Sequence, residues 1–316
     1  MPNPPFIPAA FQAEFGGFPV GNKVPKVGTP KKRKEHFKLL MVGADVEMFL
    51  KDKEGNPVPC VGVVGGTKSD PLPLPGLPEG FARQEDNVML EFNIAPAKDA
   101  SMFVNHIGMA LNSITGLIHP KGLDMNILPA MRFDKKQLDS EQAQHIGCEP
   151  DFNVWERRAN EINGFPEGLK NLRTSGGHVH VSFLLDGKVP EFPKDMEEME
   201  CVVMALDIFL GIPLIQVEPN NERRQLYGKA GAFRHKPYGI EYRTLSNHWI
   251  STPALTKYVF SAVEDCFTYL NSSYITALNK DLRYWKETID MAINGLRPDK
   301  QQYIIDRFCV KKVGNA

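Results

Sequence analysis

The sequence predicts an α+β fold: a mainly antiparallel sheet backed by helices. Two observations predict it. Strand-like stretches come in groups joined by short turns, and the long helical patterns fall between these groups without a regular βαβ beat. Each element has its own local reason. Leu39 to Lys51 reads as a strand, Glu54-Gly55-Asn56-Pro57 as a turn, and Pro59 to Val64 as a returning strand. Asn87 to Ala95 is a further strand. Ala100 to Ile118 carries Phe103, Ile107, Ala110, Leu111, Ile114 and Ile118 at helical spacing. Gly177 to Leu185 alternates like a strand, Met196 to Gln216 reads as a largely buried helix, and Gly239 to Leu245 as a strand. Leu255 to Leu270, Lys286 to Leu296 and Pro298 to Phe308 complete the helices.

Residues 1–36 stand apart. Seven prolines and four glycines up to position 30 block regular structure, and the segment ends in Lys31-Lys32-Arg33-Lys34. It is expected to be an extended arm, with the folded body spanning 37–316. The basic run reads as a solvated linker rather than a nucleic-acid or targeting element.

The 316 residues contain 37 Lys+Arg against 38 Asp+Glu, a net charge of -1. That balance argues against a protein whose main work is coating nucleic acid. No run is long and apolar enough for a membrane span, since Cys201 to Val217 is broken by Asp207, Gly211 and Pro213. No signal peptide is expected at the N-terminus. The five cysteines are scattered with no CxxC pair, which speaks against a disulfide framework or zinc ribbon and fits a reducing cytoplasm.

Four strands place polar residues where a buried face should be apolar. Asp45 and Glu47 are two apart and share one face, as do Glu91 and Asn93, His178 and His180, and Glu241 and Arg243. The residues between them are apolar. One face therefore packs a core and the other presents carboxylates, imidazoles and a guanidinium. Converging carboxylates repel one another unless cations neutralise them. Oxygen ligands favour Mg²⁺ or Mn²⁺, the latter tolerating an imidazole. Any one pair has little force alone; four of them in strands have more.

Between Asn221 and Arg243 lie Arg223, Arg224, Lys229, Arg234 and Lys236, with Gly228 and Gly231 allowing close backbone approach. Arginine forks suit phosphate oxygens. Metal-binding carboxylates beside an arginine cluster are the parts for handling a nucleoside triphosphate. There is no GxxxxGK[ST] loop, which excludes a P-loop enzyme. Cys148 has only His145 near it and reads as a buried or loop thiol. Phe152, Asn153 and Trp155 read equally as core or as a cover over a ligand.

The segments Gly43-Ala44-Asp45-Val46-Glu47, Asp86 to Asn93, Gly147-Cys148-Glu149-Pro150-Asp151, Ser175 to Ser182 and Arg223 to Asn247 run in order over some 200 residues. Together they resemble the phage-encoded COOH–NH2 ligase type 2 family, within the glutamine synthetase and glutamate–cysteine ligase superfamily. That resemblance implies a curved half-barrel sheet, like the glutamine synthetase catalytic domain, holding ATP and two or three Mg²⁺ or Mn²⁺ ions. It implies an ATP-dependent ligase that joins a small-molecule or peptide carboxylate to an amine through an acyl phosphate, in the host cytoplasm if phage-encoded, with a homo-oligomer compatible. It further implies that Asp45 and Glu47 ligate different metals, with Glu91 on the substrate side and His178 with Glu241 on the nucleotide side. An additional carboxylate ligand would be Asp86 or Glu85. His180 would touch the phosphates. Arg223, Arg224, Lys229, Arg234 and Arg243 would grip the nucleotide, with Arg223, Arg234 and Arg243 acting on the moving phosphoryl group. The alternatives are a guanidino-type phosphotransferase, a metal-dependent hydrolase built on His178 and His180, and a non-enzymatic phage structural protein retaining the fold.

Overall fold

The alternation along the chain's longest strand organises everything around it. β1 (Phe37–Lys51) buries Val42, Ala44, Val46 and Met48 on one face and turns Gly43, Asp45 and Glu47 to the other. A computed structural model describes residues 36–144, 151–160, 167–219, 222–272 and 275–314 of this chain. The predicted arm lies outside the described residues but for His36, as do His145, Gly147 to Pro150 and Asn221.

Eleven strands among the described residues form one open sheet. Its main path starts with β3 (Leu72–Pro73), β4 (Ala82–Asp86), β5 (Met89–Asn93) and β1. It continues through β11 (Gly177–Leu185), β13 (Gly239–Tyr242), β12 (Ala232–Lys236), β8 (Phe152–Asn153) and β9 (Arg158–Ala159). The short strands β2 (Pro57–Val58) and β6 (Asp124–Asn126) pair with the C-terminal end of β1. All these pairings are antiparallel. A separate two-stranded ribbon joins β7 (Ala130–Arg132) to β10 (Leu172–Thr174).

Helices cover the apolar face. α1 (Ala100–Ile118) begins at Asp99, whose side chain accepts from the Met102 N–H, and buries the apolar positions predicted from its spacing except Leu111, which is only half buried. Phe103 of α1 stacks on Trp249 with ring centroids 5.7 Å apart. α3 (Pro253–Leu270) is capped by Thr252 and sets Phe267 against Phe183 of β11, at 5.6 Å between centroids. α4 (Ile275–Tyr284), α5 (Lys286–Ile293) and α6 (Pro298–Arg307) follow. No helix among the described residues is long and apolar enough to cross a membrane.

Three stretches differ from the sequence reading. Pro59 to Val64 is a loop, because the Glu85 carboxylate gathers the N–H groups of Gly62, Val64 and Gly65 at 2.8, 2.9 and 2.8 Å. β4 precedes β5 as the first arm of a hairpin that apolar alternation does not reveal, since Ala82 to Asp86 is largely polar. The long helix from Met196 is α2 (Met196–Leu206), then a π-helical turn over Asp207–Gly211 and a last α turn over Ile212–Ile215. Pro213 has no N–H to return to the Phe209 carbonyl, so the ladder slips. The Tyr258 hydroxyl donates to that carbonyl at 3.3 Å.

Candidate functional site

Register brings the polar strand faces together. In the sheet Glu47 lies opposite Glu91, Asp45 opposite His178, His180 opposite Glu241, and Glu241 opposite Arg234. Directly opposed residues share a face. These side chains, with Asp86, Arg243 and Lys236, line a cavity of about 610 Å³ on the face away from the helices.

Its acidic groups fall into two sets. Asp45, His180 and Glu241 each bring a ligand atom within 4.8 Å of the others, and so do Glu47, Asp86 and Glu91. His178 lies beside the first set: its Nδ1 sits 2.8 Å from Asp45 and 3.7 Å from Glu241. Its Nε2 faces Gly176, where a Cβ would approach to 2.2 Å. The next residue is as constrained, since a Cβ on Gly177 would meet the Trp249 Nε1 at 2.4 Å. The Gly176-Gly177 pair thus lets the imidazole and the indole reach their places, and the Gly176 N–H donates to Glu47 at 2.5 Å. Both imidazoles approach this set: His180 Nε2 lies 3.0 Å from Asp45 and is grouped with Asp45 and Glu241, while His178 Nδ1 reaches both carboxylates. The Tyr238 hydroxyl hydrogen-bonds His180 Nδ1.

The electrostatics differ between the two sets. Burial pushes Glu91 well above the ordinary carboxylate range, and the charges of Asp45, Glu47 and Asp86 push the same way. Burial also raises Glu47, against the opposing influence of His178. For Asp45 burial would raise the carboxyl, but His180 and His178 outweigh it and hold it well below its usual value. Glu241 is likewise driven down to about 2: burial and Asp45 oppose ionisation, while Arg243, His178 and His180 favour it. The first set is thus compensated by its own cations, and the second carries an excess of negative charge that a divalent ion would relieve.

Asp86 and Glu85 separate by strand parity. Asp86 joins Glu47 and Glu91, and Gln84, on the same face, donates to Glu91 at 2.8 Å. Glu85 points the other way, to the loop it organises. A hairpin reading of Asp86-Asn87-Val88-Met89 would have set Asp86 on the face of Glu91.

The arginines divide as sharply. Arg234 and Arg243 line the cavity. Arg243 pairs with Glu241 and, 2.7 Å from its Nε, with Asp151; the Tyr227 hydroxyl lies 2.8 Å from the same nitrogen. Arg223 and Arg224 do not line it. Arg223 is fully buried and donates to the carbonyls of Ser175, Thr244 and Leu245, each at 2.7 Å. Gly228, with φ +70°, gives it room: a Cβ there would lie 1.7 Å from Arg223 Nη1. Arg224 donates to the carbonyls of Gly228 and Thr244 and pairs with Glu218 at 3.2 Å. Lys229 donates to the Arg224 carbonyl at 2.7 Å, also away from the cavity. Arg223 and Arg224 brace the chain after β13, and Lys229 the Arg224 carbonyl, instead of joining the acidic groups, because backbone carbonyls left unpaired in the core require donors. Trp155 is core: its Nε1 donates to Asp207 at 2.6 Å.

No curated protein matches the chain by sequence. Among solved structures, a bifunctional glutathione synthetase from Pasteurella multocida is similar at 10% identity and a TM-score of 0.47, over 86% of this chain and 47% of that one. The chain spans about half the length of that protein. GmaS without ligand is similar at 10% identity and a TM-score of 0.39, over 87% of this chain and 69% of that one. GmaS in an ADP complex is similar at 12% identity and a TM-score of 0.35, over 87% and 70%. Residues 171–288, which hold His178, His180, Arg234, Glu241 and Arg243, match the family described as Phage phiEco32-like COOH.NH2 ligase-type 2, the same family that the motifs resemble.

Proposed function

We propose that this protein is an ATP-dependent carboxylate–amine ligase that forms an amide or isopeptide bond through an acyl phosphate. The observation that carries the reading is the pair of carboxylate-rich groups on one sheet face, sharing a cavity with two guanidinia. Five carboxylates and one imidazole are a donor set for hard divalent cations, Mg²⁺ or Mn²⁺. The raised Glu91 carboxyl supports that fit, since it marks negative charge in excess. Asp45, His180 and Glu241 would hold one ion, and Glu47, Asp86 and Glu91 another. Bound there, such ions supply neutralisation of crowded phosphate and carboxylate charge.

The chain's own residues do the rest. Arg234 and Arg243 present guanidinium forks toward the cavity, where phosphoryl oxygens gain negative charge during transfer. A carboxylate does not exchange oxygen for an amine unaided, because hydroxide is a poor leaving group. A substrate carboxylate oxygen attacks the γ-phosphorus, and the bond to the bridging oxygen breaks with its electron pair leaving on ADP. The amine nitrogen then attacks the acyl carbon, phosphate departs with the C–O electron pair, and the nitrogen loses its surplus proton to water. The cavity of about 610 Å³ is of the size that encloses a small-molecule ligand.

The test is ADP formation with Mg²⁺ or Mn²⁺, with and without a panel of amino acids, polyamines and peptides, and with hydroxylamine as a trap. Acid-dependent ADP release with a hydroxamate product is expected. Phosphoryl transfer to a guanidino acceptor, with no hydroxamate from any acid, would refute the ligase reading.

A further inference from the structure

We propose that Asp151 is the positioning residue that orients Arg243 and Arg234 toward the cavity. The proposal rests on the reading of these arginines as phosphate-facing. Asp151 is 5% exposed and does not itself line the cavity. Its Oδ1 lies 2.7 Å from Arg243 Nε and 3.7 Å from Arg234 Nε. Both arginines are thus met from the Nε side. Their Nη1 ends approach Glu241, through the Arg243 ion pair and at 4.0 Å for Arg234.

The placement follows from strand pairing. β8 sets Phe152 opposite Phe233 and Asn153 opposite Ala232, and the same register continued by one residue sets Asp151 opposite Arg234. The β8–β9 hairpin is firmly held. The Asp151 carbonyl accepts from the Asn160 N–H at 2.7 Å, and the Asn153 side chain accepts from the N–H groups of Trp155 and Glu156 at 3.0 and 3.1 Å. Arg157 grips the buried Glu200 of α2 through two bonds of 3.0 and 2.6 Å, and Arg283 reaches the same carboxylate at 2.6 Å. A carboxylate on such a support can fix two long side chains.

The electrostatics favour this arrangement. Two guanidinia side by side repel each other, and an acid between their Nε atoms offsets that repulsion. Because Asp151 stands behind the arginines, it does so without projecting negative charge at the place where phosphate would bind. An acid inside the cavity would do the opposite.

The experiment uses the full chain and two variants, Asp151→Asn and Asp151→Glu. The first keeps size and an acceptor but loses charge; the second keeps charge at a shifted position. Hydrogen exchange of the Arg243 Nε proton, followed by NMR, reads the contact without any activity. It should quicken severalfold in Asp151→Asn, because this proton, which the Tyr227 hydroxyl accepts at 2.8 Å, loses the ion pair with the carboxylate 2.7 Å from the nitrogen. ADP formation should lose about tenfold or more in kcat, as for loss of an orienting partner. KM for Mg-ATP should stay within about threefold, and Asp151→Glu should recover part of kcat. Unchanged exchange and kcat in a folded Asp151→Asn variant would overturn the proposal, as would an equal loss in both variants. If the unaltered protein forms no ADP with any acid and amine, the ligase reading fails, and the exchange rate alone decides for or against Asp151.

Discussion

Replacing Arg223 by Leu separates a brace from a phosphate ligand. The side chain is fully buried and supplies three carbonyls, on Ser175, Thr244 and Leu245, with donors at 2.7 Å. Each carbonyl left unpaired in the interior costs about 1–3 kcal/mol. Among the described residues only Ser175 is left bare, since Thr244 keeps the Arg224 donor at 2.6 Å and Leu245 the Gly177 N–H at 3.1 Å; with the two weaker losses the total is roughly 2–6 kcal/mol. Against this, the variant no longer buries a guanidinium, whose cost is visible in the Arg223 pKa: burial first, then Arg224, lowers it to about 10. Partial cancellation leaves a net loss of about 2–3 kcal/mol. A loss of that size lowers Tm by about 5 °C in a body of this length. Denaturant unfolding of both proteins, with Mg-ATP affinity measured by calorimetry well below the lowered Tm, checks the claim. Arg223→Lys, which restores a single donor group, should fall between them. A Leu variant within about 1 kcal/mol of the parent that loses nucleotide affinity would refute the bracing role and return Arg223 to the phosphates.

Three other outcomes are expected. Arg243→Lys should cut ADP formation by about a hundredfold or more with little change in ATP affinity, because an ammonium cannot hold Asp151 and Glu241 together as the guanidinium does; normal turnover would assign Arg243 to the scaffold. Glu241→Ala and His178→Ala should each weaken Mg²⁺- or Mn²⁺-dependent nucleotide binding while circular dichroism stays unchanged, and unaltered metal-ATP affinity in both would remove the metal reading. Burial raises Asp207 from its ordinary 3.8 to about 6, outweighing its hydrogen bonds from Tyr242 and Trp155. The folded protein therefore keeps a proton there that the unfolded chain loses, so this stabilisation is full below pH 3.8 and gone above about pH 6. The stability of the parent relative to Asp207→Asn should fall by about 3 kcal/mol between those limits, and a difference independent of pH would contradict the assignment.

Strand parity explains how much of the site was legible in advance. Asp45 with Glu47, and His178 with His180, share faces because side chains alternate along a strand, a local property that needs no partner. The same locality made α1 readable from its spacing, with bounds that coincide with those observed. Glu91 and Glu241 were legible for the same reason, being polar positions flanked by apolar ones.

What only the tertiary structure decided concerns partners far away in the chain. Arg223, Arg224, Arg234 and Arg243 look alike in sequence, yet two meet carbonyls of the core and two reach the cavity. A long cationic side chain goes to whichever acceptors the fold leaves unpaired, and Ser175, 48 residues before Arg223, is one of them. Asp86 and Glu85 were separated by the β4–β5 hairpin, which fixed their faces. That both imidazoles meet Asp45 and Glu241 follows from pairing, which sets His178 opposite Asp45 and His180 opposite Glu241. Asp151 closes the Gly147–Asp151 segment but has no role in the sequence reading; its position follows from a register with β12, 81 residues on from β8, that no local pattern encodes.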